Sequence, residues 1–300
     1  MIGKKIWAVG GGKGGVGKTF ITANLGIALA GMGKRVVLVD ADLGGSNLHI
    51  VLGIRASKYT LNDFLHLNKP MVEVLQDVGI DNLKLISGAS AILGLANPKY
   101  SQKLKIINHL ARLDADYILL DLGAGTSFNV LDFFSVADER LVVISPEPTS
   151  IQNSYGFIKS ALFRRLSRLY MRNNTVLKLL QELGKPKSVR NVESMSDLVN
   201  RLKEQNGDVS NGIIRHLTNF RPRIIVNMLT SQEEQESVEA VKLVSEKYLN
   251  INVEFIGSLY SDPLVRKSLK TMTPLMVQDP VSASAQEMAN IAAKLTASES

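Results

Sequence analysis

Three hundred residues, 45% of them apolar and 21% charged, suffice for a sizeable core and argue against wholesale disorder. Cysteine is absent, which excludes disulfides, thiolate metal sites, iron–sulfur clusters and cysteine nucleophiles together. The net charge is +7, and it is concentrated: Lys159–Arg223 holds fourteen Lys/Arg against five Asp/Glu, while the rest of the chain carries a slight acidic excess.

At the N-terminus, Lys4 and Lys5 precede only Ile6-Trp7-Ala8-Val9 before glycines begin. That run is too short for a signal-peptide core, and nowhere does an apolar stretch approach the roughly 18 residues that span a bilayer. The expectation is a cytoplasmic protein, at most peripheral at a membrane or the nucleoid. Ile6–Val9 reads as a buried strand. It runs into Gly12-Lys13-Gly14-Gly15-Val16-Gly17-Lys18-Thr19, which satisfies the phosphate-loop spacing G-x-x-x-x-G-K-[ST] and opens a helix over Gly17–Met32. Each residue type has a reason to be there. Glycines let backbone N–H groups converge on phosphate oxygens, and the helix aims its positive end at the anion. Lys18 is placed to reach the β and γ phosphates, and the Thr19 hydroxyl to ligate Mg²⁺.

Further strands follow at Arg35–Val39, Leu83–Ile86, Tyr117–Leu120, Arg140–Ile144, Arg223–Val226 and Val253–Gly257. Helices fit Ser101–Arg112, Ser150–Arg172, Glu233–Tyr248, Pro263–Lys270 and Ser282–Leu295. The alternation predicts an α/β fold, a mainly parallel sheet covered by helices on both faces. It reads as one domain over 1–300. Between about 173 and 220 the rhythm breaks into helices at Thr175–Leu183, Ser196–Gln205 and Ser210–Leu217, with Ser194 and Asp197 resembling a capping pair. This segment reads as a basic helical insertion. The four histidines, His49, His66, His109 and His216, lack ligand spacing and read as core or surface residues. Gly94 and Leu95 belong to an apolar loop suited to packing or an interface.

With Lys13 at its front, the phosphate loop resembles the deviant Walker A motif of the MinD/ParA superfamily. The likeness extends to Asp40-Ala41-Asp42-Leu43-Gly44-Gly45-Ser46-Asn47-Leu48, similar to the first switch of that family. Tyr117–Gly125 resembles the second acidic strand and switch. Ser145-Pro146-Glu147-Pro148-Thr149-Ser150-Ile151 is closest in wording to the FlhG branch. The resemblance implies a P-loop ATPase with these roles. Lys13 would cross a dimer interface to the opposite nucleotide, and Asp42 would orient the attacking water. Asp40 and Asp121 would hold Mg²⁺ through its waters, and Asn47 would be the switch asparagine. Asn227, in Asn227-Met228-Leu229-Thr230, lacks the guanine-reading pattern and keeps an amide for the adenine edge or for a strand-end cap. The implied cofactors are ATP and Mg²⁺. Phe20 departs from the family, which often has a hydroxyl or amide there; its backbone N–H survives, but the lost side-chain bond to phosphate is worth about 1 kcal/mol.

The implied function is a MinD/FlhG-like switch that dimerises on ATP, hydrolyses it slowly under a partner's stimulus, and positions or regulates assembly of a cellular structure. Two alternatives stand beside it: a ParA-like partition ATPase gripping nonspecific DNA, and a metabolic ligase of the dethiobiotin-synthetase kind. Arg165, Arg168 and Arg172 recur at helical spacing opposite Ile158, Leu162 and Leu169. With Arg164, Arg190, Arg201, Lys203, Arg215, Arg221 and Arg223, they are expected to offer DNA, an anionic membrane or an acidic protein a basic face. The last predicted helix carries Met288, Ile291, Ala292 and Leu295 on one face with Lys294 its single base. That is unlike the basic amphipathic membrane helix that often ends MinD and FlhG chains.

Overall fold

The computed structural model describes residues 4–88, 98–185 and 192–298. Eight strands form one sheet in the order β3-β4-β2-β5-β1-β6-β7-β8. They are β1 (Lys5–Gly10), β2 (Val36–Asp40), β3 (Gln76–Asp77), β4 (Leu83–Ile86), β5 (Tyr117–Asp121), β6 (Glu139–Ile144), β7 (Pro222–Leu229) and β8 (Glu254–Tyr260). All neighbours pair in parallel except the short edge strand β3, which runs antiparallel to β4. The central strands are apolar and buried almost without interruption, as strands covered on both faces must be.

Each face of the sheet has its own core. On one lie α1 (Lys18–Gly31), α2 (Leu48–Val51), α12 (Pro263–Thr271), α13 (Leu275–Gln278) and α14 (Ala283–Ala297), around Trp7, Leu25, Leu38 and Leu119. On the other lie α3 (Leu61–His66), α4 (Met71–Val74), α5 (Tyr100–Leu110), α6 (Phe128–Val136), α7 (Pro148–Leu169) and α11 (Ser237–Leu249). The helices α8 (Asn174–Gly184), α9 (Met195–Gln205) and α10 (Gly207–Thr218) join this second core through Val176, Leu180, Met195, Leu198, Leu202, Ile213 and Leu217. α9 begins on the reciprocal cap foreseen in the sequence. Asp197 N donates to Ser194 Oγ at 3.2 Å, and Ser194 N to Asp197 Oδ2 at 3.0 Å.

All seven strands expected from the sequence are present. The expected helices are too, with ends moved by a few residues, and a 3-10 turn over Glu233–Glu236 precedes α11. Not foreseen were β3, α2, α3, α4, α6 and α13. α6 is the instructive case: Phe128-Asn129-Val130-Leu131-Asp132-Phe133-Phe134-Ser135-Val136 is apolar on most sides, so its periodicity separates helix from strand poorly. Its helical start is set by Ser127, whose Oγ accepts from Val130 N. α14 is a core helix, with Met288, Ile291, Ala292 and Leu295 fully buried against the α1 side of the sheet. Gly94 and Leu95 lie outside the described residues, as does Arg190.

Candidate nucleotide and magnesium site

Because β1, β2, β5 and β6 run parallel side by side, their carboxyl ends and the loops that follow them open on one edge of the sheet. There the loop from Gly11 to Gly17 turns into α1. Gly15 and Gly17 take left-handed backbone conformations, φ 80° and 93°, which side chains resist. Gly12 is required for a different reason. A Cβ there would lie 2.1 Å from the Asn153 carbonyl oxygen on α7, so the loop is pressed against its neighbour.

Lys18, the first residue of α1, is buried, and its Nζ lies 3.4 Å from the Lys13 carbonyl oxygen. Burial lowers its pKa below the ordinary lysine value, against the opposing charges of Asp121 and Asp42. Asp121 ends β5, and Asp42 follows the end of β2 by two residues. Asp40 and Asp121 are register partners on adjacent strands β2 and β5, both essentially inaccessible to solvent. Burial, reinforced by the charge of Asp40, pushes Asp121 up to about 7, although Thr19, Lys18 and Thr22 pull the other way. Burial likewise raises Asp40.

Two neighbouring carboxylates and a hydrogen-bonded threonine hydroxyl make a hard oxygen donor set, whose negative charge the one buried lysine offsets only in part. That composition suits Mg²⁺, which takes one or two protein oxygens and fills its remaining positions from phosphates and water. Among the described residues, no cluster of three or more His, Cys, Asp or Glu is placed to hold an ion alone.

Asp40 also organises the segment that follows it, a role its sequence context did not reveal. Its Oδ2 accepts from Ser46 Oγ at 2.6 Å and Leu48 N at 2.9 Å, and its Oδ1 from Asp42 N at 3.2 Å. The Asp42 carboxylate is thereby held against the second switch, where a Cβ at Gly123 would approach it to 3.1 Å. The second switch is tied to the phosphate loop through Gly125 N, which donates to Gly11 O at 3.1 Å. Asn47 is exposed at the start of α2, its Nδ2 donating to Gly45 O at 2.7 Å. Thr22, read from sequence only as helix interior, shares its hydroxyl between Lys18 O at 2.9 Å and Asp121 Oδ1 at 3.2 Å.

Three expected residues sit differently from the simplest reading. Lys13 folds back onto its own chain, paired with Glu147 and 3.1 Å from Thr149 Oγ1 just past β6. Asn227 is buried beneath the loop, and its Nδ2 donates to Val16 O at 2.9 Å. The structure therefore gives it a buttressing bond to the phosphate loop. The next residue, Met228, has φ 65° at an irregularity in the β7–β8 ladder, a strained conformation for a side-chain-bearing residue. Phe20 buries its ring in the core behind the loop, so packing accounts for the residue that replaces a hydroxyl or amide. Gly14 and Gly15 are exposed at the tip of the loop, with Val16 buried beneath them.

The basic segment differs more. α7 ends at Leu169, so Arg172 lies beyond it and shares no helical face with Arg165 and Arg168. Arg164 grips Asp132 on α6 with two hydrogen bonds, 2.6 and 3.0 Å, and Arg165 donates to the Ser135 carbonyl. Arg168 lies over the Tyr100 ring, and Arg223 pairs with Glu139 and Glu254. Leu169, expected on the apolar stripe, is half exposed. Helix packing has turned these guanidiniums toward partners within the fold. Arg172, Arg201, Lys203, Arg215 and Arg221 remain on the surface. His109 and His216 make ring contacts with Phe64 and Tyr170.

Residues 7–275 match the CobQ/CobB/MinD/ParA nucleotide binding domain, CbiA. The chain belongs to this family. The antiactivator FleN of Pseudomonas aeruginosa is 28% identical over 269 residues, covering 89% of this chain and 77% of FleN. The septum site-determining protein MinD of Helicobacter pylori is 34% identical over 190 residues, 62% of this chain and 69% of MinD. Among solved structures, MinD of Pyrococcus horikoshii complexed with Mg-ADP superposes with a TM-score of 0.63 at 22% identity, covering 99% of each chain. The fold is thus that of MinD, and the family is one of nucleotide-binding ATPases. Among the described residues, no helix is long and apolar enough to cross a membrane.

Proposed function

We propose that this protein is a Mg²⁺-dependent ATPase switch of the MinD/FleN kind, which dimerises on ATP and regulates the positioning or assembly of a cellular structure through a partner protein. The observation that carries this reading is the pairing of Asp40 with Asp121 across β2 and β5, beside Lys18 and Thr19 at the start of α1. In the proposed reaction the backbone of Gly12–Thr19 and the Lys18 ammonium bind and orient the phosphates. Thr19 would ligate Mg²⁺ and Asp40 and Asp121 would hold it through its waters; the ion would supply neutralisation of charge on the phosphate oxygens. Asp42, steered by Asp40 and backed by Gly123, positions the attacking water; a free carboxylate is a weak base, so orientation is its main contribution.

Dimerisation rests on Lys13. It stands at the mouth of the loop within reach of Glu147 and Thr149, and ATP in a facing subunit would compete for its charge. Asn227 supports the loop from below and keeps the adenine contact as a further proposed role. The alternative reading as a partition ATPase loses support because Arg164, Arg165 and Arg168 are engaged inside the fold. The ligase reading leaves Lys13 without a task.

Light scattering of Asp42→Ala with saturating Mg-ATP tests the switch. The expected result is a dimer with ATP, a monomer without it, and a weakened dimer when Lys13→Ala is added. A monomer at high protein concentration under saturating ATP would overturn the dimeric switch.

A further inference from the structure

Three adjacent helices on the second-switch side are almost devoid of negative charge. α5, α6 and α7 together contain one carboxylate, Asp132, against Lys103, Lys105, Lys159, Arg164, Arg165 and Arg168. That carboxylate is already committed. Lys103 Nζ lies 2.6 Å from it, Arg164 pairs with it twice, and Arg168 Nε stands 4.0 Å away. Three cations around one buried anion leave uncompensated positive charge, and Arg168 Nε has no hydrogen-bond partner.

Apolar surface lies directly beside this charge. Phe128, the first residue of α6, is 67% exposed with the Arg164 guanidinium 4.2 Å above its ring. The Arg168 guanidinium lies 4.0 Å from the Tyr100 ring, and Leu104, one turn further along α5, is 36% exposed. One exposed apolar residue is ordinary. An exposed phenylalanine, a leucine and two arginines stacked on rings, around excess positive charge, have the composition of a protein-binding centre. The patch is also continuous with the second switch. Phe128 follows Gly125 by three residues, and Gly125 N is bonded to Gly11 O of the phosphate loop.

We propose that Tyr100, Leu104, Phe128 and Arg168, backed by the positive charge of the more buried Lys103 and Arg164, form a docking surface for an acidic, apolar segment of a partner protein. Its carboxylates pair with Arg168, whose side chain is 33% exposed and only distantly engaged by Asp132, and an apolar side chain covers Phe128 and Leu104. Duplex DNA fits this surface poorly. The side chains of Lys103 and Arg164 are only 4% and 17% exposed, which leaves the patch with Arg168 as its reachable cation, too little charge to follow a phosphate backbone, and Phe128 offers phosphate nothing. The docking rests on this chemistry alone; its use as a readout of nucleotide state rests on the ATPase reading above.

The test uses the full chain and fluorescein-labelled short peptides in which Asp or Glu alternates with Leu or Phe. Peptides with Lys in the acidic positions and a labelled DNA duplex serve as comparisons, and fluorescence anisotropy gives affinities. The acidic peptides should bind the wild type in a salt-sensitive manner. Binding should weaken by about tenfold or more in Phe128→Ser and in Arg168→Gln, the scale of losing an interface anchor. It should be unchanged in Lys267→Glu, an exposed position on α12 across the sheet. Circular dichroism checks that each variant is folded. Failure of the acidic peptides to bind the wild type, binding indifferent to both patch variants, or DNA binding lost in Arg168→Gln would overturn the proposal. ATP turnover is measured on the same samples. Peptide binding without turnover would sink the ATPase reading and leave the docking surface standing, while turnover without peptide binding would sink the docking surface alone.

Discussion

The phosphate loop and the basic segment after Ser150 both depend on positively charged side chains, but they use them in opposite ways. In the loop, Lys18 is buried beside Asp121 and Asp42, within a turn fixed by local spacing, by the left-handed backbone of Gly15 and Gly17 and by the close approach of Gly12 to Asn153. Along α7, Arg164, Arg165 and Arg168 find Asp132, the Ser135 carbonyl and the Tyr100 ring, all contributed by elements distant in sequence. A charge whose position is set by a local turn can be read from a motif, even though its carboxylate neighbours come from other strands. A charge placed only by the packing of one helix on another cannot, and helical spacing alone mistakes it for a solvent face.

The largest effect should come from Asp42. Asp42→Ala is expected to retain Mg-ATP but lower its turnover by roughly 10²–10⁴, the usual scale for losing a positioned acid–base group. A phosphate-release assay beside an ATP-binding titration checks this, and unaltered turnover would remove Asp42 from the mechanism.

On the other side of the comparison, Asp132→Ala should destabilise the fold by about 3–5 kcal/mol, because it leaves Lys103 buried without its carboxylate. Urea unfolding reads the loss. A value near zero would mean that these cations are solvated after all and that the basic face is a surface feature.

Asp132 and Asp121, both buried, should also respond oppositely to pH. Although burial alone would raise the Asp132 pKa, hydrogen bonds from Arg164 and Lys103 hold it below the ordinary value. Its stabilisation is therefore present at neutral pH and is lost as pH falls through that lowered value. Asp121, raised to about 7 by burial and Asp40, binds its proton in the folded state between an unfolded pKa of about 3.9 and 7. Nucleotide-free protein should consequently lose stability as pH rises through this window. Asp121→Asn should flatten that slope, and thermal melts from pH 5 to 8 without nucleotide measure it. A slope unchanged by the substitution would place the titration elsewhere.

The smallest effect concerns the buttress. Asn227→Ala leaves the Val16 carbonyl without its donor, a loss of about 1 kcal/mol, and should appear as a several-fold weaker ATP affinity by calorimetry. Unchanged affinity would mean that the loop holds its shape unaided.

The same distinction explains what could be read in advance. The seven strands and the loop were legible because buried parallel strands write continuous apolar runs, and the phosphate-loop spacing is confined to eight residues. Asp40 and Asp121 were singled out by the resemblance of their segments to the switches of the MinD/ParA superfamily, each at the end of such a run. The role of Asp40 in holding Ser46 and Leu48, and that of Thr22 beside Asp121, require the fold, since one arises from a loop returning on itself and the other from pairing across the sheet. Asn227 was picked out by its position after a late strand, but its bond to Val16 joins residues 211 apart. The short helices α2, α3, α4 and α13, each of four to six residues, are too brief to write a periodic pattern.

The edge formed by Lys18, Thr19, Asp40, Asp42 and Asp121 is expected to bind and hydrolyse Mg-ATP. The most direct measurement is phosphate release from ATP, with and without Mg²⁺, by the wild-type protein and by Lys18→Ala purified identically. Slow, Mg²⁺-dependent release by the wild type and none above background from Lys18→Ala is the predicted result; equal release from the two proteins would contradict the account.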